Sequence, residues 1–156
     1  MKRLPDGSRV EGGCTLPVLP NRPMTPVGGM PSASLAVGLL AVAAGAVLGA
    51  WLRWGMGVWL NALVPSLPLG TLLANLLGGL LVGLALAWFV RHPELSPVWR
   101  LFVVTGFLGA LTTFSTFSAE SLALIVRGEF LWAAMHSMLH LFGALGAAAL
   151  GYRWAS

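Results

Sequence analysis

From Leu35 onward the chain alternates long apolar runs with short polar interruptions. The runs are Leu35 to about Trp54, Leu67 to Val90, Trp99 to about Val126, and Phe130 to about Tyr152. Each is close to the ~20 residues that a helix needs to cross ~30 Å of hydrocarbon. The pattern therefore predicts an all-α membrane protein with four transmembrane helices. Two interruptions read as loops: Arg91, His92, Pro93, Glu94 and Pro97, and the tighter Arg127, Gly128 and Glu129. Gly55 to Ser66 is only moderately apolar and ends near Pro65 and Pro68, so it reads as an interfacial connection. Ahead of the runs, residues 1–33 hold six of the 10 prolines and little apolar surface to bury. Such a segment neither propagates a helix nor builds a core. The expected organisation is a disordered Pro-rich tail over 1–33 and a four-helix transmembrane domain over 34–156, with Met24 and Met30 as alternative starts.

Composition fixes the solvent: 57% of residues are hydrophobic and 9% are charged, as in a chain that lives in lipid. The net charge of +4 would point to nucleic acid in a soluble protein, but the basic residues stand singly at the ends of the runs. They read as headgroup and topology signals, and no nucleic-acid partner is expected. Arg91, Arg100 and Arg153 fall on the amino-terminal side and Arg53 and Arg127 on the other, a bias too small to fix one orientation. The same chain is thus able to insert both ways and pair with an inverted copy. Lys2, Arg3, Arg9 and Arg22 in the tail pull toward a cytoplasmic amino terminus. Tryptophans divide similarly, with Trp88, Trp99 and Trp154 at one interface and Trp51, Trp54 and Trp132 at the other. Cys14 has no partner in the chain and implies no redox chemistry.

Polar residues inside the runs carry the functional signal, because hydrocarbon offers them no hydrogen bonds. The third run contains GFLGALTTFSTFSAE, Gly106 to Glu120, with Thr112, Thr113, Ser115, Thr116 and Ser118 clustered where helix propensity is weak. A local unwinding there would free carbonyls for a hard cation and amides for an anion. Phe114 and Phe117, three apart, could turn electropositive ring edges toward an anion, although single phenylalanines are ordinarily core. Glu120 is an acid at membrane depth and so a functional candidate. Asn75, alone in the second run, must face a partner helix or a wet cavity. Gly45, Gly49 and Arg53 share one face of the first helix, where glycines favour close packing and Arg53 either snorkels or lends positive potential to a vestibule. His136 and His140 have metal-compatible spacing but no evident third ligand, so neutral, hydrogen-bonded histidines are the expectation.

GAVLGAWLR at Gly45 to Arg53, GTLLANLLGG at Gly70 to Gly79, and GFLGALTTFSTFSAE together resemble the Fluc-type (CrcB family) fluoride channels of bacteria, across Leu35 to Trp154. The resemblance implies an antiparallel, dual-topology homodimer with a break in the third helix of each copy. It also implies a multi-pass protein of the bacterial plasma or inner membrane that lets fluoride leave the cytoplasm passively and so protects the cell from its toxicity. By the same resemblance Asn75, Phe114, Ser115, Thr116, Phe117, Glu120, Ser137 and Arg53 belong to the fluoride pathway. Gly109 and Thr112 would offer main-chain carbonyls to a structural Na+ at the dimer interface. The chain departs from the pattern in its long leader and at His136 and Ser137.

Other classes fit less well. A proton-coupled four-helix exporter of the multidrug type would want a carboxylate in the first helix, and Leu35 to Trp54 has none. No nucleophile with its base, phosphate loop or metal triad points to an enzyme.

Overall fold

The computed structural model describes residues 32–63 and 67–156, all of them in helices, turns or short links. The expected tail over 1–31 lies outside the described residues. α1 spans Ser32–Leu60 and α2 spans Leu69–Arg91. α3 (97–111) starts as Pro97–Arg100, widens to π-helical winding over Leu101–Leu108 and closes with Gly109–Leu111. α4 spans Phe114–Val126 and α5 spans Phe130–Ala155. Counting α3 and α4 as one crossing, four segments among the described residues are long and apolar enough to traverse a bilayer.

One sequence expectation needs correction. Gly55 to Leu60 is not an interfacial connection but the last part of α1. Gly55 and Gly57 weaken a helix by about 1 kcal/mol each relative to alanine, whereas proline would stop it, and none occurs before Pro65. The turn begins only at Asn61, whose side-chain Oδ1 accepts a hydrogen bond from the Gly70 N–H at 2.7 Å. That bond satisfies one of the unpaired amides at the start of α2, where Pro68 in the capping position offers no side-chain acceptor. At the start of α3, Ser96 caps the Val98 amide and Pro97 occupies the first turn, where its missing N–H is harmless.

Glycine lets the helices meet along their backbones. A Cβ added to Gly79 or Gly83 of α2 would run into the Ala144 or Ala148 carbonyl of α5, and one added to Gly151 of α5 would strike the Leu80 carbonyl of α2. Gly45 and Gly49 of α1 lie just as close to Phe102, Gly106 and Phe107 of α3. These are small-residue seams of the kind that drives association in lipid, where burying apolar surface gains nothing. Accordingly the buried apolar set is small, centred on Ala74, Leu108 and Leu111. Large side chains such as Leu40, Trp59, Leu131 and Leu150 face outward. In water they would be a liability. In hydrocarbon they are the solvated surface of a multi-pass membrane protein.

Arg91, Glu94, Arg127 and Glu129 stand at the ends of the bundle. Arg91 donates to the Ser156 carbonyl and so ties the end of α2 to the end of α5. Trp88, Trp99 and Ala155 line a cavity of about 500 Å³ at that end. In the exposed link after α2, a backbone hydrogen bond and then the His92 side chain hold the Glu94 carboxyl below the usual carboxylate range. Arg127 pairs with Glu129 at 2.8 Å across the α4–α5 turn, where Gly128 takes φ +76°, a conformation that favours glycine.

Candidate functional site

Between α3 and α4 the backbone stops winding for two residues. Thr112 (φ −80°, ψ 152°) and Thr113 (φ −150°, ψ 121°) are both extended. In an uninterrupted helix the Thr113 N–H would bond the Gly109 carbonyl and the Phe114 N–H the Ala110 carbonyl. Here the Thr113 N–H goes instead to Asn75 Oδ1 at 2.8 Å, while Asn75 Nδ2 donates to the Thr113 carbonyl at 3.0 Å. One asparagine on α2 therefore grips both backbone polar atoms of a residue that has left its helix. The Ala110 carbonyl accepts from Arg53 Nε at 3.0 Å, across from α1. Two of the sequence-selected residues, Asn75 and Arg53, thus serve the same two-residue step from opposite sides.

Hydroxyls complete the local account. Thr113 caps α4: its Oγ1 accepts from the Thr116 N–H at 3.2 Å, donates to Thr116 Oγ1 at 3.0 Å and lies 3.3 Å from Ser115 Oγ. Thr112 donates to the Leu108 carbonyl, Ser118 to Phe114 and Ser137 to Ala133, each within one turn of its own chain. A hydroxyl bonded that way is quiet in lipid yet keeps its oxygen lone pairs available.

A cavity of about 590 Å³ opens beside this step, walled by Asn75, Thr112, Thr113, Phe114, Phe117, Ser137 and His140, with Gly78, Gly79 and Gly109 among its backbone lining. Phe114 is 79% exposed on the open side, and its ring centroid lies 5.4 Å from that of Phe117. Phe117 in turn lies against both histidines of α5, 5.4 Å from His136 and 4.9 Å from His140. The cavity is mostly apolar with a few convergent polar groups, the usual make-up of a small-ligand or ion route.

Deeper in, Glu120 is held by Thr71, whose Oγ1 donates to Glu120 Oε1 at 2.6 Å. His136 Nε2 is 3.4 Å from the other carboxylate oxygen, and its Nδ1 is 3.0 Å from Ser121 Oγ. His140 Nδ1 sits 2.9 Å from Asn75 Nδ2. This corrects a second expectation: the histidine pair does have a third potential ligand, Glu120, with one donor atom from each of the three within 4.8 Å of one another. Spacing along α5 could not reveal it, because the acid lies on α4 and arrives only through the tertiary fold.

The profile of the family described as CrcB-like protein, Camphor Resistance (CrcB), matches residues 40–152. The chain belongs to this family. Relatives named fluoride-specific ion channel FluC support the same placement. That of Cupriavidus pinatubonensis is 59% identical over 115 residues, 74% of this chain and 91% of the relative. That of Pseudomonas putida is 58% identical over 113 residues, 72% and 89%. That of Aromatoleum aromaticum is 58% identical over 113 residues, 72% and 86%. Within this CrcB-family chain, the fold brings Asn75, Phe114, Phe117 and Ser137 to one cavity, and Ser115 and Thr116 to its Thr113 cap. Glu120 sits one layer deeper, while Arg53 is engaged with a carbonyl rather than an acid. Thr71 and Ser121 are polar residues of the site to which sequence reasoning gave no role. Thr71 is 4% exposed, and its position four residues before Asn75, on the same face of α2, was the available signal.

Proposed function

We propose that the protein is a fluoride-selective channel through which fluoride leaves the cytoplasm passively. The observation that carries the reading is the clamp of Asn75 on the extended Thr113 peptide, set in the wall of a cavity edged by Phe114 and Phe117. The relatives, named as fluoride-specific ion channels, supply the ion. Fluoride is small and strongly hydrated, so a route must replace its water in stages without holding it too tightly. The Asn75 amide, the hydroxyls of Ser115, Thr116 and Ser137, and the positive rims of the two rings offer graded contacts of that kind. Arg53, paired with no acid among the described residues, adds positive potential nearby. Glu120 continues the polar track past Phe117.

In this reading two copies insert in opposite senses and pair as an antiparallel homodimer, and the extended step at Thr112 and Thr113 is the functional break of the third helix. The near-balanced charges of the helical segment and the half-open cavity support pairing. The carbonyl of Gly109, released when the Thr113 amide turns to Asn75, and the extended Thr112 carbonyl are hard oxygen donors suited to Na+. When bound, that ion supplies fixed positive charge and a cross-link at the interface. The rest falls to the chain itself: Asn75 orients the Thr113 backbone, and Arg53 donates a hydrogen bond to the Ala110 carbonyl.

The test is efflux from liposomes holding the purified protein, fluoride against chloride, with and without Na+. Fluoride should leave rapidly as an electrogenic current and chloride should stay. Vesicles that retain fluoride, or flux that requires a proton gradient, would overturn the reading.

A further inference from the structure

Three buried atoms deep in the bundle have no hydrogen-bond partner among the described residues: Glu120 Oε2, His136 Nε2 and His140 Nε2. They belong to the same trio whose donor atoms lie within 4.8 Å of one another. His136 is fully buried and His140 is 5% exposed. Glu120 Oε2 and His136 Nε2 face each other at 3.4 Å without forming a hydrogen bond, and polar atoms left unsatisfied at such depth are costly, so the trio is a composition that calls for a shared occupant. We propose that Glu120, His136 and His140 form a binding site for a divalent transition ion of the Zn2+ class. The inference does not rest on the fluoride reading, since it concerns the ion-binding chemistry of these side chains alone.

The donor set fits that ion. Two imidazole nitrogens and one carboxylate oxygen are the ligands of an open, three-residue zinc site, with the fourth position left to water or an anion. The three residues are also positioned from behind, as metal ligands usually are. Ser121 Oγ meets His136 Nδ1 at 3.0 Å and can accept its N–H, which directs the Nε2 lone pair to the centre. Thr71 holds Glu120 Oε1 at 2.6 Å and leaves Oε2 to face His136 Nε2 at 3.4 Å. His140 carries the device that makes the site consequential. Asn75 Oδ1 is committed to the Thr113 N–H, so its Nδ2 must be the atom that donates to His140 Nδ1. The neutral ring therefore bears its proton on Nε2. To bind metal through Nε2 it must move that proton to Nδ1, and an N–H facing the amide N–H2 breaks the contact with Asn75. No proton is gained or lost; a tautomer is exchanged. Metal capture thereby loosens one of the bonds that hold the Asn75 side chain at the cavity wall.

The full-length protein in detergent, stripped with chelator and dialysed against Zn2+, should retain one Zn2+ per chain, and Co2+ in its place should show the visible absorption of a low-symmetry, nitrogen-ligated site. Glu120→Gln, His136→Gln and His140→Gln should each weaken Zn2+ binding at least ~10-fold, the usual scale on which a metal site responds even to loss of its outer partners. Cys14→Ser and His92→Ala, which remove the other plausible ligands, should leave it unchanged. If any trio variant fails to fold, the Co2+ spectrum of the unaltered chain still decides. No Co2+ absorption, no stoichiometric Zn2+, a thiolate charge-transfer band, or retention that the folded trio variants do not alter would overturn the site and leave three atoms sharing protons.

Discussion

The α2–α5 seam and the Thr112–Thr113 step solve the same problem of membrane depth by opposite means. Along the seam, Gly79, Gly83 and Gly151 remove side chains so that backbones touch, and every peptide keeps its own helical bond. At the step two peptides leave the helix, and Asn75, Arg53 and the Thr113 hydroxyl take over the released groups. The first arrangement is rigid because nothing else fits; the second is specific because each polar atom has a designated partner. Close backbone contact thus belongs to the seam and designated polar partners to the step.

The sharpest way to break this contrast is steric. Gly83→Leu places a side chain against the Ala148 carbonyl, which is backbone and cannot swing aside. Overpacking of that kind destabilises by about 3 kcal/mol or more, and the expected outcome is loss of the folded peak in size-exclusion chromatography. A normally folded Gly83→Leu protein would mean that the seam is loose.

Next in size is the loss of partner geometry. Asn75→Asp replaces the amide donor with an acceptor facing the Thr113 carbonyl and His140. Leaving such groups unpaired costs roughly 1–3 kcal/mol, less than the seam substitution. The variant should assemble normally while fluoride efflux falls to that of protein-free vesicles. Efflux at the level of the unaltered protein would remove Asn75 from the pathway. The smallest effect belongs to Ser118→Ala. Its hydroxyl bonds only the Phe114 carbonyl on an exposed face of α4, so the melting curve should shift by no more than an equivalent of about 0.5 kcal/mol, with flux unchanged. A large change there would show that polarity is important beyond the step itself.

The four spans and the family were legible in the sequence because both depend on local signals: apolar run length, and the run TTFSTFSAE beside a lone asparagine. The end of α1 was misread because composition from Gly55 onward resembles an interface, while only a proline would have forced the helix to stop. Partner choice was not legible. Nothing in the spacing of Arg53 says that it will meet a carbonyl, and nothing in α5 says that Glu120 will complete its histidine pair. Those contacts join residues on different helices, 57 positions apart for Arg53 and Ala110, and exist only once helices are packed. Which members of the cavity wall touch the ion is a matter for flux, not for spacing.

The turn at Arg127, Gly128 and Glu129 has a consequence for threading. Three residues reach about 10 Å at full extension, far short of a bilayer, so the end of α4 and the start of α5 must lie on the same face of the membrane. The two crossings therefore always point in opposite senses, and the face on which this turn sits fixes both at once.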